Sequence, residues 1–401
     1  MIRQAVLSGL PLITISTRDV VNLSTVLNYV SGKKTISYKL DQAVAPGMIH
    51  YVFGNEVKAN TPWRDLWKQF MKASASLVIV NSASKIDEAF DAGELIVPRE
   101  LIRSELIEHF SEGKNKEGVA KLVDDLMPAF GGLTMKEVVE LIRLTTVDKD
   151  LTPQNLIHTR KRIIPPLKGF TQVDTAQPLY LPSPDWKTFV QTRKKAFLTE
   201  GIDYRLVPRG ALLDGPTGTG KTSGAKYLAE QWGVPLYRMD ASAGGKYHNE
   251  TETAVARILA QVAHEAPCAL LLDEAEKMLG TQKDSGSGVT EKVQSLLLWF
   301  MQENRDKVFI LLTTNKKEKL PPEMYRSGRI SETFTFLGLN KSDALALAKS
   351  TLATFKGYDP KVYEPLVDQE IAKHFSTHSS MAQADIAEAV TGVLVKNPPP
   401  G

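Results

Sequence analysis

The chain has 401 residues, of which 42% are hydrophobic and 24% charged, a composition typical of a globular protein with two or three domains. Its formal net charge of +3 is too small to indicate nucleic acid or an anionic membrane as the main partner, and no apolar stretch is long enough to span a bilayer. Cys268 is the only cysteine, which excludes an intramolecular disulfide and a cysteine-based metal site and favours a reducing compartment, the cytoplasm or an organelle stroma.

Residues 1–168 are predicted to form an N-terminal α/β domain that ends in a helical linker. The predicted strands cover residues 11–17, 48–53 and 76–80, and the predicted helices cover 20–30, 63–72 and 101–110. Residues 6–15 are expected to belong to the first strand. Thr134 and Glu137 have the spacing of a capping box, which predicts a helix over 138–144. This layout is that of a P-loop domain, but it carries no Gly-Lys-Ser/Thr, so no catalysis is expected there.

Prolines dominate the segment that follows. The prolines at 165, 166, 178, 182 and 184 predict irregular structure, and the basic clusters at 160–162 and 193–195 are expected to be solvated. Residues 169–339 are predicted to form a second α/β domain. Residues 340–401 are predicted to form a small helical lid, in which Ser342 caps a helix over 343–352 and a last helix covers 382–395.

The second α/β domain carries an unbroken match to the phosphate-binding pattern Gly-x-x-x-x-Gly-Lys-Ser/Thr. The matching residues are Gly215, Pro216, Thr217, Gly218, Thr219, Gly220, Lys221 and Thr222. Residues 210–214 have the composition of a buried strand, and residues 222–232 that of a helix closed by Gly233, as this motif requires. We therefore expect Lys221 to reach the β- and γ-phosphates of a nucleotide and the Thr222 hydroxyl to ligate Mg²⁺.

Two acids follow a second aliphatic run, residues 270–272. A strand buried on both faces of a parallel sheet is aliphatic throughout, and active groups lie at its carboxyl end. Asp273 is therefore expected to hold Mg²⁺ through its water shell, and Glu274 to polarise the attacking water. The alternative is a pair of acids at the start of a helix.

A third strand, predicted over 308–315, ends in Asn315, which either orients the attacking water or only begins a turn. Arg326 and Arg329 follow, three residues apart, and are either surface residues or arginine fingers that stabilise charge on the transferred phosphoryl group.

These four motifs, in this order and spacing, resemble the AAA-family ATPases of the AAA+ superfamily, and the resemblance covers residues 169–401. It implies an α/β P-loop NTPase fold with a helical lid, binding of ATP with Mg²⁺, and a homo-oligomeric ring, usually a hexamer. It also implies that Asp273 and Glu274 are the Walker B metal and base positions, Asn315 is sensor 1, and Arg326 and Arg329 reach the neighbouring subunit's nucleotide. Gln383-Ala384-Asp385 is similar to the Gly-Ala-Asp of AAA lids, which implies that Ala384 contacts the nucleotide.

The segment that contains Lys246, Tyr247 and His248 is similar to the first pore loop of AAA proteins that thread polypeptides. There Tyr247 would grip a client by apolar contact; the alternative is that its ring packs locally. Residues 283–288 are either a second pore loop or a solvated connection. The pairing of a degenerate N-terminal α/β domain with one AAA module resembles the plastid and cyanobacterial open-reading-frame AAA proteins.

The sequence thus predicts an ATP-hydrolysing ring protein that remodels or threads a protein client, without a membrane partner. An alternative is a nucleotide-controlled switch whose N-terminal domain docks a partner without threading it. The interpretation as an ATPase that acts on nucleic acid is supported only by the two basic clusters and is the least favoured.

Overall fold

The computed structural model describes residues 1–40, 42–111, 115–147, 149–163, 169–175, 183–239, 248–279, 288–325, 330, 332–355 and 357–398, with the side chains at the start of two helices described only from 252 and from 292. The chain divides into two compact units, Met1–Val147 and Asp148–Gly401. Among the described helices, none combines the length and the apolar character needed to cross a membrane.

The first unit is a five-stranded parallel sheet with helices. Its elements in chain order are α1 (Ile2–Leu7), β1 (Leu12–Ser16), α2 (Leu23–Ser31), β2 (Thr35–Ser37), β3 (Ile49–Phe53), α3 (Trp63–Lys72), β4 (Ser76–Val80), β5 (Phe90–Glu94), α4 (Arg99–Phe110), α5 (Lys116–Leu126) and α6 (Met135–Thr146). The strand order is β2-β3-β4-β1-β5, and Leu12 of β1 is paired with Leu77 of β4. The buried strand β4 lies beside β1 at the centre of the sheet, so its side chains form much of the core.

Most predicted elements of this unit occur within three residues of their predicted bounds. The capping box is confirmed: the Thr134 hydroxyl accepts from the Glu137 N–H at 3.2 Å, and the Glu137 carboxylate accepts from the Thr134 N–H at 2.8 Å. The strand expected over residues 6–15 is wrong at its start, since residues 2–7 form α1. Ile2, Ala5 and Val6 are buried and recur at helical spacing, so a helix rather than a strand places them on one face.

The second unit is a six-stranded sheet with helices and a helical lid. Its elements are α7 (Pro153–Arg160), β6 (Phe170–Gln172), α8 (Pro184–Leu198), β7 (Gly210–Asp214), α9 (Lys221–Trp232), β8 (Leu236–Met239), α10 (His248–His264), β9 (Cys268–Leu272), α11 (Ala275–Leu279), α12 (Gly288–Glu303), β10 (Val308–Thr314), β11 (Glu332–Thr335), α13 (Lys341–Leu352), α14 (Pro360–Phe375) and α15 (Gln383–Lys396). The order is β11-β7-β10-β9-β8-β6, and only β6 is antiparallel to its neighbour.

Successive side chains of the central strands point to opposite faces of this sheet, so a separate hydrophobic core forms on each face. Leu212, Leu270 and Leu312 pack on one face, while Leu213 and Leu271 pack on the other. Burial on both faces explains why β7, β9 and β10 are nearly continuous aliphatic runs, as expected for parallel strands. The lid helices α13, α14 and α15 have a third core of their own, consistent with the predicted lid at residues 340–401.

The first compact unit ends at Val147 rather than at residue 168, because α7 packs within the second unit. The side chain of Gln172 on β6 donates to the Ile157 carbonyl at 2.7 Å, and Arg160 forms a fully buried ion pair with Glu265. The expectation that cluster 160–162 is a solvated surface is therefore wrong for Arg160. The cluster at 193–195 lies on α8, where Arg193 pairs with Glu332 at 2.8 Å on the surface.

Two further local predictions were wrong. Pro184 is the first residue of α8 rather than part of an irregular segment, because the first turn of a helix does not need the N–H that proline lacks. The cap of α13 is Asn340, whose side chain accepts from the Asp343 N–H at 2.9 Å, and not Ser342, which lies inside the helix.

Candidate nucleotide-binding site

The predicted phosphate-binding loop connects β7 to α9 at the carboxyl edge of the sheet. Gly215, Gly218 and Gly220 all have positive φ, at 149°, 80° and 90°. A Cβ on Gly215 would lie 2.1 Å from the Phe336 carbonyl oxygen, so no other residue fits there. The backbone turns that these glycines allow form a cradle at the N-terminus of α9, which is the arrangement that binds phosphate.

Lys221 lies across this loop. Its ammonium donates to the carbonyls of Gly215 and Pro216, at 2.7 Å each, and burial lowers its pKa below the ordinary value for lysine. The Thr219 hydroxyl donates to the same Pro216 carbonyl at 2.8 Å and braces the turn. A charge held inside the loop by two carbonyls is placed to meet an anion there.

Asp273 lies at the carboxyl end of β9 and faces the loop. The Thr222 hydroxyl lies 3.1 and 3.3 Å from its two carboxylate oxygens. A hydroxyl and a carboxylate at this distance are the hard oxygen ligands that Mg²⁺ prefers beside substrate phosphates, so the residues fit this ion. Among the described residues no group of three His, Cys, Asp or Glu side chains forms a metal cage, so phosphate and water would complete the coordination shell.

Glu274 follows Asp273 in a left-handed conformation, with φ of 52°. Its carboxylate is largely exposed and pairs with Lys277 at 2.6 Å, and this contact raises the pKa of Lys277. Asn315 directly follows β10, and its amide donates to the Thr217 hydroxyl of the loop at 3.2 Å. The structure thus brings Asp273, Glu274 and Asn315 together at one edge of the sheet, around the phosphate-binding loop.

Thr313 is a site residue that the sequence analysis missed. Its hydroxyl donates to Asp273 at 2.5 Å and accepts from the Glu274 N–H at 2.9 Å. The available signal was the pair of threonines, Thr313 and Thr314, that ends an otherwise apolar buried strand, since a buried hydroxyl needs a partner.

The lid closes the other side of the site. The Ala384 N–H donates to the Gly218 carbonyl at 3.1 Å, and the Gln383 carboxamide lies about 3.0 Å from the position that a Cβ on Gly220 would occupy. Leu347 and Thr351 of α13 also line the cleft, whose volume of about 520 Å³ suits a nucleotide. Ala384 therefore lies against the loop, and its contact with the nucleotide stays a prediction.

Several predicted site residues lie outside the described part of the chain. These are Arg326, Arg329, Lys246, Tyr247 and residues 283–287. His248 is the first residue of α10, but its side chain is also outside the described set. Their roles stay predictions.

Comparison with known proteins agrees with this geometry. Residues 211–337 match the family model "ATPase family associated with various cellular activities (AAA)". The AAA domain-containing protein ycf46 of Guillardia theta is 26% identical over 317 residues, which cover 72% of this chain and 60% of that protein. The 26S proteasome regulatory subunit 6B homolog of Aspergillus niger is 28% identical over 203 residues, covering 49% of this chain and 47% of the subunit. The peroxisomal ATPase pex6 of Schizosaccharomyces pombe is 31% identical over 192 residues, covering 45% of this chain and 19% of that protein.

The chain spans 60–69% of the length of the ycf46 proteins of Guillardia theta and Gracilaria tenuistipitata. The matched family region lies within the second unit and contains the phosphate-binding loop, Asp273, Glu274 and Asn315. Residues 211–337 of the second unit therefore match the AAA family model, and the chain is similar to the ycf46 AAA domain-containing proteins.

Proposed function

We propose that this protein hydrolyses ATP in a homo-oligomeric ring, in the cytoplasm or an organelle stroma, and uses the cycle to remodel a protein partner. The observation that carries the proposal is the meeting of Lys221, Thr222 and Asp273 inside a glycine cradle, with Glu274 and Asn315 at its edge. An α/β sheet edge with these groups is suited to phosphoryl transfer to water.

Each residue has a distinct task. The glycine cradle and Lys221 bind the phosphates, and the lid covers one side of the cleft through the Ala384 contact. Mg²⁺, held by Thr222 and through water by Asp273, would neutralise charge that develops on the phosphates. Asn315 orients the attacking water, and Glu274 accepts its proton. Arg326 and Arg329 act on the neighbouring subunit's nucleotide in this proposal.

The protein partner is inferred from the named relatives, which include a proteasome regulatory subunit and a peroxisomal ATPase. In the proposed cycle the loop with Lys246, Tyr247 and His248 contacts the client polypeptide through apolar surface, which tolerates any client sequence. The sequence of the first unit has no Gly-Lys-Ser/Thr, and in this proposal the unit docks the client or supports the ring.

The test compares wild type with Glu274→Gln. The amide keeps the size of the side chain and leaves the Glu274 N–H bond to Thr313 in place, so ATP binding is retained while ATP hydrolysis falls by at least about 100-fold. Phosphate release gives the rate, binding of a fluorescent ATP analogue gives the affinity, and native mass spectrometry with and without Mg-ATP gives the assembly. Glu108→Gln, an exposed glutamate on α4, is the matched control.

A hexamer that forms or tightens with Mg-ATP supports the ring. A persistent monomer would leave Arg326 and Arg329 without a neighbouring phosphate and contradict it. Unchanged hydrolysis in Glu274→Gln would remove Glu274 from its assigned role.

A further inference from the structure

Thr313 is unusual for its place in the sheet. It lies near the end of β10, between β7 and β9 in strand order, and its side chain is 1% exposed. A hydroxyl at such a position is costly unless it is hydrogen-bonded. Thr313 uses both capacities of its hydroxyl, donating to Asp273 Oδ1 at 2.5 Å and accepting from the Glu274 N–H at 2.9 Å.

Both bonds go to the two residues that directly follow β9, Asp273 and Glu274. One fixes the carboxylate that faces the Thr222 hydroxyl, and the other fixes the backbone from which the Glu274 side chain departs. Glu274 has φ of 52°, a left-handed conformation that residues with a Cβ disfavour and that persists only when the surroundings hold it. The Thr313 hydroxyl, on the neighbouring strand β10, helps to hold the Glu274 backbone in this conformation.

We infer that Thr313 is a positioning residue for hydrolysis, which acts by setting the direction of Asp273 and Glu274. The inference rests on the proposed ATPase function. Thr222 also contacts Asp273, but its hydroxyl is the one expected to ligate Mg²⁺. Among the described residues, the Thr313 hydroxyl bonds only Asp273 and the Glu274 N–H, so both of its bonds go to the segment that carries the two acids.

A role in packing alone is the competing explanation, and the choice of variants separates the two. Thr313→Val keeps the volume and branching but removes the hydroxyl, whereas Thr313→Ser keeps the hydroxyl and removes a methyl group. Thr145→Val, a buried threonine on α6 in the first unit with the same 1% exposure, measures the general cost of this change.

We expect kcat for ATP hydrolysis to fall about 10–100-fold in Thr313→Val, as is typical when a partner of a metal-site ligand is removed. KM for ATP should stay within about threefold, because the phosphate loop is intact, and Thr313→Ser should stay within about threefold of wild type. If Thr313→Val does not fold, as judged by circular dichroism, Thr313→Ala replaces it. The inference would be overturned if kcat fell equally in Thr313→Val and Thr313→Ser. It would also be overturned if kcat in Thr313→Val stayed within threefold of wild type with normal Mg²⁺ dependence.

A second readout does not require turnover. Fluorescent mant-ADP is titrated at a series of Mg²⁺ concentrations, and the Mg²⁺ concentration at half-maximal affinity should rise at least about tenfold in Thr313→Val. A fall in kcat alone supports the role through Glu274, and a shift in Mg²⁺ dependence alone supports it through Asp273. If the wild type binds mant-ADP with Mg²⁺ but does not hydrolyse ATP, the proposed function fails, and this titration still decides the role of Thr313. If the wild type shows no Mg²⁺-dependent binding of mant-ADP, the proposed function and the inference about Thr313 are both overturned.

Discussion

The ion pair between Arg160 and Glu265 gives the clearest prediction about stability. Arg160 is 0% exposed at the end of α7, and Glu265, which directly follows α10, is 1% exposed. The Glu265 carboxylate also accepts from the Tyr237 hydroxyl at 3.1 Å and from the Gln261 amide at 2.5 Å. Burial raises the pKa of Tyr237 well above its usual value, so its hydroxyl stays protonated and remains a donor.

Removing the arginine alone leaves a buried carboxylate without its counter-charge. Arg160→Met should therefore destabilise the second unit by about 3–5 kcal/mol, a large part of a typical folding free energy of about 5–15 kcal/mol. With a urea dependence of about 2–3 kcal/mol per molar, the midpoint falls by roughly 1–2.5 M. The double variant Arg160→Met/Glu265→Gln should cost less than the sum of the single changes, because no unpaired charge remains and the amide still accepts from Tyr237.

Urea unfolding followed by tryptophan fluorescence measures this effect. Replacing Trp63 and Trp67 with phenylalanine leaves tryptophans only in the second unit, so the signal reports on the unit that contains the pair. Arg193→Met is the control, since Arg193 and Glu332 form an exposed pair worth at most about 1 kcal/mol. A cost for Arg160→Met no larger than that of the control, or strict additivity in the double variant, would refute the reasoning.

Two further predictions concern the phosphate loop. Gly215→Ala should abolish binding of a fluorescent ATP analogue and lower the urea midpoint, because the new Cβ would meet the Phe336 carbonyl, whereas Gly392→Ala inside α15, where a Cβ meets nothing within 4 Å, should stabilise by up to about 1 kcal/mol. Lys221→Met should weaken ATP binding about 10–100-fold, because the charged donor placed to meet the phosphates is lost. Burial lowers the pKa of Lys221, so the unfolded chain binds the proton of this ammonium more tightly than the folded chain, and the free energy of unfolding of the wild type rises with pH up to about 10.5. The variant should lack this rise in urea titrations at pH 8–10. The same pH slope in variant and wild type would contradict the prediction.

The elements with strong local patterns were predictable from the sequence. The helix Trp63–Lys72 and the strand Ser76–Val80 have their predicted bounds, because a polar face and an all-apolar run identify a surface helix and a central strand. The burial of Arg160 was not predictable. A basic cluster is normally solvated, and the partner, Glu265, lies 105 residues away in the sequence, so only the tertiary fold shows that the charge is paired.

In the candidate site, too, some residues were predictable from local pattern and others were not. Lys221, Asp273 and Asn315 follow from motifs whose spacing fixes their place at the strand ends, and the structure brings them together. Thr313 precedes Asn315 in the motif at the end of β10, but the motif does not give its role, which depends on register. Strands β10 and β9 pair in parallel with Leu312 opposite Leu272, which brings Thr313 level with Asp273. Register between strands is a long-range property that local pattern does not encode.

The two sheets show why function depends on strand ends rather than on strand order. Without the antiparallel β6, the second sheet has the same order as the first, with the first parallel strand of each lying between the fourth and the fifth. In the first unit the turn after β1 holds a buried Asp19, which accepts from the Met135 N–H at 2.7 Å, and Asn81 bonds both the N–H and the carbonyl of Thr17. A phosphate at that turn would meet a buried carboxylate and backbone groups that are already bonded, whereas the turn after β7 offers glycines and Lys221. One topology thus occurs with two different turns, and the nucleotide site is expected only where the turn leaves its donors open to an anion.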